Sequence, residues 1–233
     1  MDSGMLLTGL LWFIAFLFST TCHEAAHAWV AKKGGDLTAY AGGQVSLDPL
    51  PHIRREPFGM VVMPWLSYIA GGWMMGWASA PYNRAWARTY PRRAAWMALA
   101  GPAANFAIVL IVGMLIQLGR VAGVLQLSGR TGFTDLVKAP GDGPMAAAAA
   151  LLSVLYSLNL LLGSFNLLPV PPLDGFGVLG LLMPESAMQK LMDLRDSMGM
   201  LMILGLLLAW RMFDTIFDPV YITGLKALYL FQI

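Results

Sequence analysis

The apolar positions of this chain fall in long unbroken runs, not in the alternating or 3.6-residue stripes of a water-exposed domain. Residues 5–30 carry no charge before Glu24 and exceed the roughly 20 residues a helix needs to cross a bilayer. The start of this run lacks the basic residues of a secretory signal, and no small-residue cleavage pattern follows. It is therefore expected to stay as a transmembrane helix. Residues 94–118 and 146–168 are two more spans of the same kind, and 199–217 an additional one. Residues 58–80 are as apolar, but Pro64 and the pair Gly71-Gly72 interrupt them. The polar gaps between these runs are short. In one, residues 36–47 place small and apolar residues between Gly34-Gly35 and Gly42-Gly43, which predicts a short β-hairpin at the membrane surface. Residues 184–198 mix both charges and predict a surface helix.

Basic residues distinguish two topologies. If 58–80 crosses the membrane, Lys and Arg divide almost evenly between the two faces. If it dips in and returns, ten lie on one face and three on the other. The second arrangement satisfies the positive-inside bias, and proline with paired glycines suits a re-entrant turn buried in protein. The predicted fold class is an all-α polytopic membrane protein. It has a three-helix core (5–30, 94–118, 146–168), a re-entrant segment (58–80), an extra helix (199–217) and a short surface hairpin, in one domain over 1–233.

Composition sharpens this picture. Hydrophobic residues make up 58% of the 233 positions and charged residues 12%, against about 25% charged in ordinary soluble domains. The net charge is +2. These values exclude a disordered chain, a basic nucleic-acid-binding domain and an ordinary cytosolic enzyme. Lipid must cover what charge does not. A single cysteine, Cys22, excludes an internal disulfide framework and a multi-cysteine metal site.

The three histidines are the scarce chemistry. Two stand in His23-Glu24-Ala25-Ala26-His27. On a helix, positions i and i+4 share a face, so both imidazoles can reach one Zn²⁺. Glu24 then points toward a water beside them, where a general base belongs. Ionisable groups inside a membrane span are expensive and are functional by default. A catalytic zinc normally has three protein ligands. The stretch from Asn166 to Gly175 contains Pro169, Pro171 and Pro172, so the preceding helix cannot continue. It is expected to be extended, with Asp174 at its end able to complete a His₂Asp site. The same residues are also good turn chemistry.

His23–His27 in a membrane helix, Gly101-Pro102-Ala103-Ala104-Asn105 in a middle helix, and Asn166–Gly175 after a later helix together resemble the site-2 protease family of intramembrane zinc metalloproteases. The resemblance covers nearly the whole chain and points to the minimal form, without PDZ or CBS domains. It implies that His23, His27 and Asp174 hold one Zn²⁺ and that Glu24 is the catalytic base. It implies that Asn166 acts near the catalytic centre and that Asn105 ends the middle motif; on its own, Asn105 reads equally well as an interhelical hydrogen-bonding residue. It further implies a multi-pass protein of the cell membrane, with a site inside the bilayer that opens toward the cytoplasm. The partners would be lipid and a transmembrane protein or peptide substrate, cleaved in or near its membrane segment in regulated intramembrane proteolysis; no nucleic acid is expected. His52, next to Arg54, Arg55 and Glu56, is read first as a solvated loop histidine, the other reading being a histidine that approaches the site from the re-entrant segment. Two alternatives stand beside this reading. One is a zinc protease with a glutamate as third ligand, for which only Glu185 remains downstream. The other is a non-proteolytic zinc-binding membrane scaffold of the same family.

Overall fold

The computed structural model describes residues 3–229. In chain order the elements are α1 (Ser3–Gly34), α2 (Thr38–Ala41), α3 (Leu50–Arg55), a π-helical turn (Phe58–Val62), α4 (Met63–Gly71), α5 (Arg84–Thr89) and α6 (Pro91–Val121). Then come β1 (Gln126–Leu127), β2 (Val137–Lys138), α7 (Pro144–Asn166), α8 (Asp174–Val178), a 3₁₀ turn (Leu179–Leu182), α9 (Glu185–Met198) and α10 (Leu201–Tyr229). The chain is an all-α polytopic membrane protein. Three described helices are long and apolar enough to cross a bilayer: Gly4–Gly34, Pro91–Val121 and Pro144–Asn166. They pack against one another as α1, α6 and α7.

Their polar residues face inward, as lipid requires. Ser19, Thr20, Thr21, His23, Glu24 and His27 on α1, Asn105 on α6, and Ser153, Ser157, Asn159 and Ser164 on α7 are all buried. The outward faces carry Leu7, Ile14, Phe18, Leu110, Ile111 and Met114, all exposed.

Phe58–Gly71 forms a helix of about 21 Å at 1.5 Å per residue, short of the roughly 30 Å bilayer core. Gly72 ends it in the left-handed conformation, φ +76°, and the chain then runs back. Trp77 N donates to Gly59 O over 3.2 Å, so the segment leaves and returns at one level. Trp12, Phe16, Tyr68, Met74, Val154 and Leu158 form the apolar cluster that seats it on α1 and α7.

Two expectations need correction. Residues 36–47 hold no strand. Asp36 caps the single turn α2 instead: its Oδ1 accepts from Thr38 N (2.9 Å) and Thr38 Oγ1 (2.5 Å). Its Oδ2 accepts from Asn83 N over 2.7 Å, just ahead of α5. An Asp two residues before a Thr favours this local closure over pairing with another strand. The antiparallel pair lies elsewhere, with Gln126 opposite Lys138 and Leu127 opposite Val137. His52 is not solvated. It is 1% exposed on the inner side of α3, and its Nε2 lies 3.1 Å from Ser46 O. Helical periodicity turns His52 inward while Arg54 and Arg55 face out.

Candidate metal centre

The α1 helix presents His23 and His27 one turn apart toward α6. Each ring is held by its Nδ1. His27 Nδ1–H donates to Met97 O over 2.7 Å, and that carbonyl can only accept. His23 Nδ1–H donates to Asn105 Oδ1 over 2.6 Å. The amide orientation follows from the next link, Asn105 Nδ2 to Asn159 Oδ1 at 2.8 Å. Asn159 Nδ2 then donates to Ser19 Oγ, also 2.8 Å. The chain of bonds closes a circuit through α1, α6 and α7. With both Nδ1 atoms carrying the proton, both Nε2 atoms of the neutral rings present lone pairs.

Those lone pairs converge on one point with a carboxylate. His23 Nε2 and His27 Nε2 are 3.0 Å apart. Asp174 Oδ2 lies 3.0 Å from the first and 3.2 Å from the second. Three electron-pair donors at these separations repel unless a cation or proton sits among them. Tetrahedral ligands at about 2.0–2.1 Å from a zinc ion would stand about 3.3–3.4 Å apart, so the donor set fits such an ion closely. A Glu24 carboxylate oxygen lies within 4.8 Å of a ring nitrogen of each histidine, a separation that leaves room for one bridging water.

Tight turns deliver Asp174. The proline-rich stretch is not extended, contrary to expectation: Val170 N bonds to Leu168 O (2.8 Å) and Leu173 N to Val170 O (2.9 Å). The prolines end α7, and the chain doubles back so that Asp174 opens α8 against α6. Gly175 is required there because a Cβ would run into the backbone of Leu167 and Leu168.

Gly101 has a similar reason. A Cβ at that position would press on His27 Nε2 and stand 2.5 Å from His23 Nε2. The glycine lets α6 close over both imidazoles. Nothing in the Gly-Pro-x-x-Asn motif alone gives this reason, and Asn159 lies outside the motifs legible in the sequence. An amide in the middle of an apolar span is the signal the sequence offers. Asn166 is the last residue of α7, and among the described residues its one side-chain hydrogen bond is Nδ2 to Leu162 O, 3.0 Å. The structure thus brings His23, Glu24, His27 and Asp174 together and leaves Asn166 bonded within its own helix.

The model for peptidase family M50 matches residues 11–210. The chain is 33% identical over 195 residues to "Putative zinc metalloprotease YwhC" of Bacillus subtilis (strain 168), covering 83% of this chain and 78% of that protein. It is 29% identical over 207 residues to "Putative zinc metalloprotease Rip2" of Mycobacterium tuberculosis (strain ATCC 25618 / H37Rv), covering 88% and 70%. The Mycolicibacterium smegmatis protein with the same description is 29% identical over 213 residues, covering 91% and 72%. No solved structure matches significantly.

Proposed function

This chain belongs to peptidase family M50, and from that premise we propose that it is an intramembrane zinc metalloprotease, hydrolysing peptide bonds in or near the membrane segments of other proteins. The observation that carries the proposal is the convergence of His23 Nε2, His27 Nε2 and Asp174 Oδ2 within 3.2 Å of one another, with Glu24 beside them. His23, His27 and Asp174 would hold one zinc ion, which when bound supplies Lewis acidity and lowers the pKa of a water toward 7. Asn105 and Met97 fix the rings that face it. Glu24 takes the proton of the attacking water and returns it to the departing amine. Asn166 Nδ2 would donate to the developing oxyanion, exchanging its bond to Leu162 O for that role.

Depth in the bilayer follows from helix lengths. His27 lies seven residues before Gly34, about 10 Å along α1, and Gly101 lies ten after Pro91, about 15 Å along α6. Both helix ends carry basic residues, Lys32 and Lys33 on one and Arg92 and Arg93 on the other. By the positive-inside bias this is the cytoplasmic end, so water and product pass on that side. The substrate must unwind. The non-helical residues 74–83 run beside α1, from Gly76 against Phe16 to Asn83 on Asp36. An unwound substrate would pair with this backbone as an added strand.

The test is cleavage of transmembrane peptides by purified wild type and Glu24→Gln, with zinc measured in both. The expected result is equal zinc, and turnover lower in the variant by a factor of at least about 10². Equal turnover would overturn the proposal.

A further inference from the structure

A cavity of about 160 Å³ lies between α6, α8 and α9, and Asp174 forms part of its wall. It exists because small residues face each other there: Ala95 and Ala98 on α6, with Gly177 and Gly180 opposite. The walls already touch where they can. A Cβ on Gly177 would stand 2.8 Å from Ala98 Cβ, and one on Gly180 would stand 3.1 Å from Met188 Cε. The outer wall is α9, which contributes Met188 and Met192. Arg88 on α5 clamps this helix in place, with Nη2 3.0 Å from both Asp193 Oδ1 and Asp196 Oδ2. Arg195, the cation on this wall, stands over the Tyr82 ring at 5.9 Å.

We propose that this cavity receives one large apolar side chain of the substrate, of Phe, Leu or Met size, from a residue flanking the scissile bond. The inference rests on the proteolytic reading and adds a specificity to it. Volume sets the size class: an apolar cavity of roughly 150 Å³ holds benzene. Continuity sets the occupant. Asp174 belongs both to the cavity wall and to the metal centre, and its side chain, 22% exposed, is the most accessible of the three converging groups. A peptide bond at the centre therefore places its neighbouring side chain at the mouth of the cavity. Methionine walls adapt to aromatic and branched groups alike.

The test uses the full chain with ¹³C-labelled methionine methyls, titrated with N-acetyl-phenylalaninamide, N-acetyl-alaninamide and octane. The expected result is saturable shifts of the Met188 and Met192 methyls with the phenylalanine amide and none with the alanine amide. Ala95→Leu, which fills the cavity, should weaken the phenylalanine amide by roughly tenfold or more, in line with the 10–200-fold discrimination of one methylene in a pocket. Met192→Ala, which enlarges the cavity from its outer wall and leaves α6 untouched, should shift preference toward N-acetyl-tryptophanamide. No shift, shifts unchanged in both variants, or a response to octane alone (a lipid-tail cavity) would overturn the inference. The titration needs no turnover. A protein that binds the probe yet cleaves no peptide would count against the proteolytic reading and leave the pocket standing.

Discussion

Asn105 Oδ1 accepts the Nδ1 proton of His23 over 2.6 Å, at the heart of a circuit of side chains that joins α1, α6 and α7. This bond fixes which nitrogen of His23 faces His27 Nε2 and Asp174 Oδ2, because a ring that donates from Nδ1 must present its Nε2 lone pair. Asn105→Leu removes the acceptor, frees the ring to turn, and leaves Asn159 Oδ1 without its donor. Loss of such a supporting partner typically weakens metal binding by about 10–100-fold. Competition with a chelator of known strength reads this directly, and unchanged zinc affinity would show that His23 needs no such orientation.

Gly101→Ala reverses an ordinary preference. In a helix interior alanine is favoured over glycine by about 0.8–1 kcal/mol. Here the added methyl would enter the imidazole pair, and overpacking of this kind costs about 1–3 kcal/mol. The variant should melt lower than wild type and retain less zinc. A higher melting temperature with full zinc would mean that α6 stands further from the site than described.

Asp36 gives the fold a pH dependence outside the membrane core. Burial opposes its charge, but the bonds from Thr38 Oγ1, Asn83 N and Thr38 N hold its carboxyl below the usual carboxylate range. A depressed folded-state pKa means that its stabilisation is present above the unfolded value, about 3.9, and is lost as pH falls through the folded one. Asp36→Asn should therefore lower stability at pH 7, by about 1.5–3 kcal/mol for bonds to a charged group. The gap to wild type should close at strongly acidic pH. Thermal melts of both proteins across pH decide it, and a gap constant down to the lowest pH would refute the charge-based account.

The return of residues 58–80 can be read by labelling. Leu50, ahead of the segment, and Tyr90, after it, are both exposed. Single cysteines at these positions, in a Cys22→Ser background, should react with a membrane-impermeant maleimide from the same face of sealed vesicles. Reaction from opposite faces would mean that the segment crosses.

The centre was largely legible in the sequence because its chemistry is written in scarce residues. With three histidines in the chain, two at helical spacing in an apolar span admit few explanations. The three core helices were legible for a similar reason, since lipid imposes long apolar runs. What escaped depends on tertiary contact. Asn159 looks like one polar residue in an apolar helix until Asn105 and Ser19 are seen to meet it. Gly101 looks like part of a weak motif until the imidazoles are placed beneath it. Residues 36–47 read as a hairpin because one glycine pair precedes them and another lies within them, but the Asp36 bonds close a local turn first. The actual strands are two residues each, too short to show alternation. His52 was misplaced by its charged neighbours, which lie on the opposite side of a short helix.

Asp174 joins distant parts of the chain, 151 residues after His23, and through it α1 and α8 would share one metal. The most direct measurement is zinc stoichiometry and affinity in purified Asp174→Ala beside wild type. Wild type should hold one equivalent. The variant should hold weak, readily chelated zinc and melt lower, since metal affinity is then also folding energy. A full equivalent in Asp174→Ala, bound as tightly as in wild type, would contradict this and place the third ligand elsewhere.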